Sequence, residues 1–242
     1  MSNIFIPNGT ILLIREYLSL KFKMQTEETI IESIKPLAKP PAKPRGRPLA
    51  FNQDQALEAA MYVFWAHGYE GTSMAELTDA LGIKKPSIYA AFGNKEELFR
   101  KALAHYIAGP AAFVTAVKNA PTAHQVVERF LTQAVEFFSD QTTPNGCLIV
   151  QAALTCGSGS SVIQQELIAY RKHFEKSFAA RFELAKTQGD LPQDADANAL
   201  AKYLATIHQG LSVQATSGAT KQELLGVVEI ALKNWPENVV KY

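Results

Sequence analysis

From Asn52 onward, apolar positions recur at three- and four-residue spacing, and no segment alternates convincingly at period two. The pattern predicts an all-α protein. In the first helix Ala56, Leu57, Ala60, Met61, Phe64 and Trp65 share one face. A short second helix opens on a capping box, Ser73 with Glu76 three residues on. Leu77, Ala80 and Leu81 form its apolar stripe, Gly82 ends it, and Ile83 packs the turn. Pro86 suits the first turn of a third helix, where its missing N–H leaves no bond unmade. That helix covers roughly 86–92 and stops at Gly93. Asn94 and Glu97 cap a fourth, which buries Leu98, Phe99, Ala102, Leu103 and Tyr106 and ends near Gly109-Pro110.

A larger helical region follows. Thr122 and Gln125 read as a capping box for a helix carrying Val126, Phe130, Leu131, Ala134, Phe137 and Phe138, broken by Pro144-Asn145-Gly146. Residues 147–156 are almost wholly apolar, which predicts a short helix buried on all sides. A long helix is expected over about 161–187 and another over about 194–216, and a last one capped by Thr220 and Glu223 runs to Trp235-Pro236. Leu200, Tyr203, Leu204, Ile207 and Leu211 stripe one of these, and Leu224, Leu225, Val228 and Leu232 the other. Those stripes fit either packing within one subunit or pairing across a two-fold axis into a four-helix bundle.

Helix, glycine turn and short second helix over 72–98 form a helix-turn-helix, the unit that sets a recognition helix into the DNA major groove. Its residues read Thr-Ser, Gly-Ile, Pro-Ser-Ile-Tyr, Phe and Asn-Lys-Glu-Glu-Leu. With Arg45-Gly46-Arg47-Pro48, Phe64, Gly68-Tyr69 and Gly71-Thr72, this stretch resembles the TetR/AcrR family of bacterial one-component transcriptional regulators. The resemblance is strong over about a quarter of the chain, to Phe99. It is weaker in the later helix layout and in Gly146-Cys147-Leu148. It implies a three-helix N-terminal helix-turn-helix DNA-binding domain over 45–98 and a larger helical C-terminal ligand-binding and dimerisation domain over 99–242. It further implies a cytoplasmic homodimeric repressor, released from a palindromic double-stranded DNA operator by a small hydrophobic or electrophilic effector, with no cofactor and no enzymatic role. The same module also serves activators.

Ser87 and Tyr89 are the expected main DNA contacts, because the helix-turn-helix sets their hydroxyls at the start of the recognition helix. The resemblance implies that Tyr89 and Lys95 hold phosphates and that Lys85, Pro86 and Ser87 lie near base edges. Thr72 and Ser73 open the preceding helix and add backbone N–H groups for phosphate. Ala90 and Ala91 offer only methyl groups, and many family members carry a larger residue at the second position. That shifts weight onto Lys84 and Lys85. Phe137, Phe138, Gln151, Leu154, Tyr170, Phe174 and His208 are expected to line a mostly apolar effector cavity. Cys147 begins an apolar helix, where the macrodipole is expected to lower the thiol pKa. A similar Gly-Cys-Leu motif occurs in family members that sense electrophiles or oxidants through that cysteine, and also where no redox role is implied, so a redox or electrophile sensor acting through Cys147 is the alternative. A cysteine-dependent helical enzyme, with Cys147 and a histidine as nucleophile and base, has no spacing signature behind it.

Composition adds limits. The chain of 242 residues is 47% hydrophobic and 19% charged, with a net charge of +1, so any charge for DNA is local. Lys35, Lys39, Lys43, Arg45 and Arg47 form a run without an acid, and Lys84, Lys85 and Lys95 surround the recognition helix. Two cysteines, Cys147 and Cys156, make no disulfide framework, and the histidines show no metal-ligand spacing. Residues 1–44 are expected to be a disordered extension or basic arm. Apolar 4–22 is interrupted by Pro7, Gly9, Arg15 and Glu16, too broken to span a membrane. Met24 is expected to be the true start, with 1–23 an upstream extension.

Overall fold

The computed structural model describes residues 51–155 and 161–236. Arg45, Arg47, the expected N-terminal arm, Met24 and Cys156 lie outside them. The helices are α1 (Gln53–Gly71), α2 (Met74–Leu81), α3 (Lys85–Phe92), α4 (Lys95–Ala108), α5 (Phe113–Ala116), α6 (Ala123–Phe138), α7 (Leu148–Thr155), α8 (Ser161–Thr187), α9 (Ala197–Thr216) and α10 (Lys221–Lys233). No strand occurs among the described residues.

Local chemistry sets the helix ends. Asn52 Oδ1 accepts from the N–H groups of Asp54 and Gln55 and starts α1. The α-helical path breaks at Gly68, whose φ of 70° is open to glycine and strained for other residues. The break turns Tyr69 into the core, stacked beside Phe64 and edge-on to Phe99 at 5.1 Å. Both expected capping boxes flanking the turn are present, Ser73 with Glu76 and Asn94 with Glu97. The Ser73 pair holds the Glu76 carboxyl below the usual range. Thr122 accepts from Gln125 N–H as expected, but no reciprocal bond forms. The next N–H along, that of Ala123, donates to Asp190, which reaches across from beyond the end of α8.

The core begins between α1 and α4. Phe64 meets Phe99 edge-on at 5.1 Å, and Trp65 meets Tyr106 at 5.0 Å. Leu77 and Ile88 of the helix-turn-helix are completely buried against this centre. Burying each contributes about 1.5–3 kcal/mol, which orients α2 and α3. α1 also packs on α7, and α8 pairs with α9 while α6 pairs with α10. The expected division at 98/99 falls inside α4, which begins beside the recognition helix and ends against Trp65.

Two expectations change here. The 147–156 stretch was expected to be buried on all sides. Leu148 and Ala152 are buried, whereas Leu154 stands 63% exposed because α7 presents only one face to α1 and α8. On the last helices Leu204, Leu211, Leu224 and Val228 pack inside the single chain. The apolar residues left outward are Tyr203, Val213, Val227 and Ile230, the last 63% exposed. Phe113–Ala116 and the 3-10 turn Val117–Asn119 were not anticipated, because four helical residues are too few to show a period.

Candidate functional site

The helix-turn-helix presents a compact polar surface. Ser73 is exposed, and its hydroxyl accepts from Glu76 N–H at 3.1 Å. Thr72 is not available in the same way. It is 1% exposed, and its hydroxyl donates to the Gly68 carbonyl at 2.7 Å, closing the α1 break. Lys84, Lys85 and Pro86 are exposed, Ser87 is half-buried, and Tyr89 is 43% exposed. That exposure separates Tyr89 from its neighbours Ile88 and Phe92, which are buried. The Lys85 ammonium lies 5.9 Å from the Tyr89 ring centre, so cation and phenol form one patch at the start of α3. Lys95 is half-buried, with its ammonium 4.4 Å above the Tyr69 ring. Ala90 is exposed, while Ala91 turns toward the core.

Two cations that the sequence reading passed over tie this unit to the rest of the chain. The Lys101 ammonium donates to the carbonyls of Phe92 (3.1 Å) and Ala91 (3.4 Å), capping the end of α3 from α4. Its neighbour Arg100 donates Nε to both carboxylate oxygens of Glu166 on α8, at 2.9 and 3.1 Å, and Nη2 to Glu96 at 3.3 Å. α4 thus grips the recognition helix with one residue and α8 with the next.

The expected effector residues divide into separate groups. Phe138, Phe174 and His208 come together, with ring centres 5.2 Å (Phe138–His208) and 5.6 Å (Phe174–His208) apart, around Phe130. His208 is 9% exposed, and burial pushes its pKa down to about 4, so it is neutral at pH 7. Phe137 lies elsewhere, tilted against Trp65 at 5.1 Å. It also lines an open cleft of about 530 Å³ with Phe113, Gln133, Glu136, Ser139, Asp140 and Lys221. Gln151 donates to Thr216 at 3.2 Å. Tyr170 is half-buried against the core. Leu154 is too exposed to line an enclosed cavity.

Cys147 precedes α7 and is 6% exposed. Its N–H donates to Ser212 Oγ at 2.8 Å, and the Tyr106 hydroxyl donates to its Sγ at 3.5 Å. The expected lowering of the thiol pKa does not occur. Burial pushes it up, outweighing Tyr106 and the N–H groups of Val150 and Ile149. Next to it the Gly146 carbonyl accepts from Trp65 Nε1 at 3.1 Å.

The family model for bacterial regulatory proteins of the tetR family matches residues 56–102, and that for the tetracyclin repressor-like C-terminal domain matches 123–224. The HTH-type transcriptional repressor ComR of Escherichia coli K12 is 35% identical over 199 residues, 81% of this chain and 95% of ComR. The chain belongs to the TetR family. It is a DNA-binding transcriptional regulator with an N-terminal helix-turn-helix and a helical C-terminal domain. Another relative, the repressor BdcR of the same organism, is 30% identical and covers 77% of this chain and 90% of its own length. Among solved structures, a cysteine mutant of the TetR family regulator CifR, complexed with a 26-base-pair double-strand operator, superposes with a TM-score of 0.76 at 45% identity. It covers 79% of this chain and all of its own. Homodimers are typical of the family. Among the described residues of this TetR-family chain, no helix is long and apolar enough to cross a membrane.

Proposed function

We propose that this protein is a cytoplasmic repressor that binds a palindromic operator as a homodimer and lets go when a small hydrophobic effector enters its C-terminal helices. The observation behind the DNA half of this reading is the patch at the start of α3. Lys84, Lys85 and Tyr89 are exposed while Ile88 and Phe92 anchor the helix from behind. A helix buried on one side and carrying cations and hydroxyls on the other is built to lie in a groove. Lys84, Lys85, Ser87 and Tyr89 act as the contacts of α3, with Pro86 starting the helix and Lys95 near the backbone. Thr72 contributes its main chain only, beside Ser73. Arg45 and Arg47, which lie outside the described residues, are proposed as further DNA contacts.

The dimer is supported by the outward face of α9 and α10. Tyr203, Val213, Val227 and Ile230 face away from the core, and a Cβ placed on Gly210 or Gly226 meets nothing within 4 Å. Mid-helix glycines that no neighbour in the same chain requires favour close approach of a second copy's helices. A two-fold axis there presents two α3 helices to successive major grooves. The effector reading draws support from the aromatic group around His208, joined to α4 through α8. Cys147 serves as part of the packing, since its thiol is buried and its pKa raised.

The test is selection of duplexes from a random pool by the purified chain, followed by anisotropy on the winning sequence and sedimentation of the free protein. An enriched palindrome, lost on Lys84→Ala/Lys85→Ala substitution, is the expected result. Failure to enrich any sequence, or a monomer at micromolar concentration, overturns the reading.

A further inference from the structure

We propose that Lys118 and Arg181 are the anchor for a carboxylate-bearing hydrophobic effector whose apolar body lies against Phe130, Phe174, Phe178 and His208. The inference rests on the ligand-responsive reading above and names the ligand's chemistry.

Lys118 belongs to the 3-10 turn after α5 and points at the middle of α8. It is partly buried, its ammonium donates to Ser177 Oγ at 3.3 Å, and it lies 5.6 Å from the centre of the Phe178 ring. Ser177 gives its own proton to the Phe174 carbonyl at 2.8 Å, so it is a neutral acceptor and nothing more. Burial pulls the Lys118 pKa down, and no carboxylate stands among the groups acting on it. Positive charge accumulates there instead. Burial lowers the neighbouring His173 pKa, and Lys118 and Lys176 both push it further down.

Arg181, one turn beyond Ser177 on α8, holds the same turn. Its Nε donates to the Lys118 carbonyl at 3.1 Å, and its Nη2 to the Ala120 and Pro121 carbonyls at 2.9 and 3.1 Å. Its Nη1 is buried and finds no acceptor. A buried guanidinium nitrogen left without an acceptor is destabilising, and so is a desolvated ammonium facing only a hydroxyl and a ring. The carboxylates of α8 do not relieve either group. Glu166 is held by Arg100, Glu175 pairs with Lys202, and Glu183 with Lys186. An arriving carboxylate satisfies both cations through charge-assisted hydrogen bonds.

The adjoining interior is aromatic, with Phe130 and Phe178 fully buried and Phe174 partly exposed. Phe178 meets Phe174 at 4.7 Å and Phe130 at 5.1 Å, and His208 lies over Phe130 at 5.1 Å. The His208 imidazole makes ring contacts only, with no hydrogen bond among the described residues. It is free to take one hydrogen bond from a second polar group on the ligand. Cations at one end, rings along the body and a neutral imidazole beyond describe an aryl- or alkyl-substituted acid.

The experiment is calorimetric titration of the full chain with 4-phenylbutyrate and with the uncharged 4-phenyl-1-butanol, in the wild type, Lys118→Met and Lys118→Arg. The acid is expected to bind the wild type about tenfold or more tightly than the alcohol, to lose about tenfold or more in Lys118→Met and to be retained in Lys118→Arg. The alcohol should bind wild type and Lys118→Met alike. No binding of the acid to the wild type, equal affinity for acid and alcohol, or acid binding unchanged in Lys118→Met each overturns the proposal. If Lys118→Met does not fold, the wild-type preference for acid over alcohol decides alone. Operator binding by the wild type is measured in parallel, so a failure of the repressor reading shows there and leaves the calorimetric answer standing.

Discussion

Gly146→Ala is the substitution whose cost the structure specifies most closely. Gly146 has φ of 80°, where an L-residue pays about 1–2 kcal/mol. The added Cβ would lie 2.9 Å from the Ser212 carbonyl oxygen, 2.9 Å from Thr216 Cγ2 and 3.0 Å from Ser212 Oγ. The first of these is main chain of α9 and cannot rotate aside, so the helix must back away, at about 1–3 kcal/mol for overpacking. Backing away lengthens the 2.8 Å bond from Cys147 N–H to Ser212, worth about 1 kcal/mol more. The sum is about 3–6 kcal/mol, a large share of the about 5–15 kcal/mol that holds a domain folded. At about 2–4 °C per kcal/mol, the melting temperature should fall by about 6–24 °C. Gly189→Ala is the control. Its φ is 76° but its Cβ meets nothing within 4 Å, so only the backbone cost of about 1–2 kcal/mol remains. Scanning calorimetry and urea unfolding followed by Trp65 fluorescence measure both. Equal losses in the two variants would refute the packing argument, and a wild-type melting temperature for Gly146→Ala would refute the whole of it.

The remaining expectations concern DNA affinity and pH. Tyr89→Phe should weaken operator binding about fivefold, the loss of one hydrogen bond, measured by anisotropy; unchanged affinity at every salt concentration would reject the contact. Glu166→Gln removes a negative charge and by long-range attraction alone should tighten DNA binding. Loosening α4 from α8 should instead weaken it about threefold or more, and affinity at or above that of the control Glu183→Gln would remove Arg100–Glu166 from the coupling. The folded His208 pKa of about 4 lies below its ordinary 6.5, so the unfolded chain binds more protons between those values. Stability should therefore fall as pH drops from 6.5 toward 4, by about 3 kcal/mol from this group, and His208→Leu should flatten that part of the curve; an unchanged slope in the variant would show that other groups carry it.

The DNA-binding unit was legible because its signals are local. Capping boxes at Ser73 and Asn94, glycine at 82 and proline at 86 act over three or four residues, and the structure has each in place. Long-range pairings were not legible. Nothing in sequence sets Arg100 against Glu166 or Lys118 against Ser177, which lie 66 and 59 residues apart. The effector residues rest on side-chain type alone, apolar lining with a few polar anchors, and type does not distinguish Phe137, which packs on Trp65, from Phe174, which packs on His208. The stripes of α9 and α10 were correctly apolar. Which of their residues stay inside one chain depends on where α6, α7 and α8 lie, and no helix pattern carries that.

Cys147 shows how a motif can be read for the wrong atom. Its place before an apolar helix suggested a reactive thiol, and in isolation that reasoning is sound. In the fold the main chain of the motif makes the connections. The Gly146 carbonyl accepts from Trp65 on α1, and the Cys147 N–H donates to Ser212 on α9, one residue apart. Tyr106 of α4 closes the group through the sulfur. Helices from the DNA-binding unit, the connecting segment and the outward-facing α9 therefore meet at two residues. The helix-turn-helix cannot be re-aimed against α9 without breaking buried hydrogen bonds there, which makes the joint stiff. The exposed end of α4 has no such tie: Lys101 holds α3 by carbonyls and Arg100 holds α8 by a half-exposed ion pair. Movement that reaches the recognition helix is therefore cheaper about the Gly146–Cys147 joint, with Arg100 released, than through it.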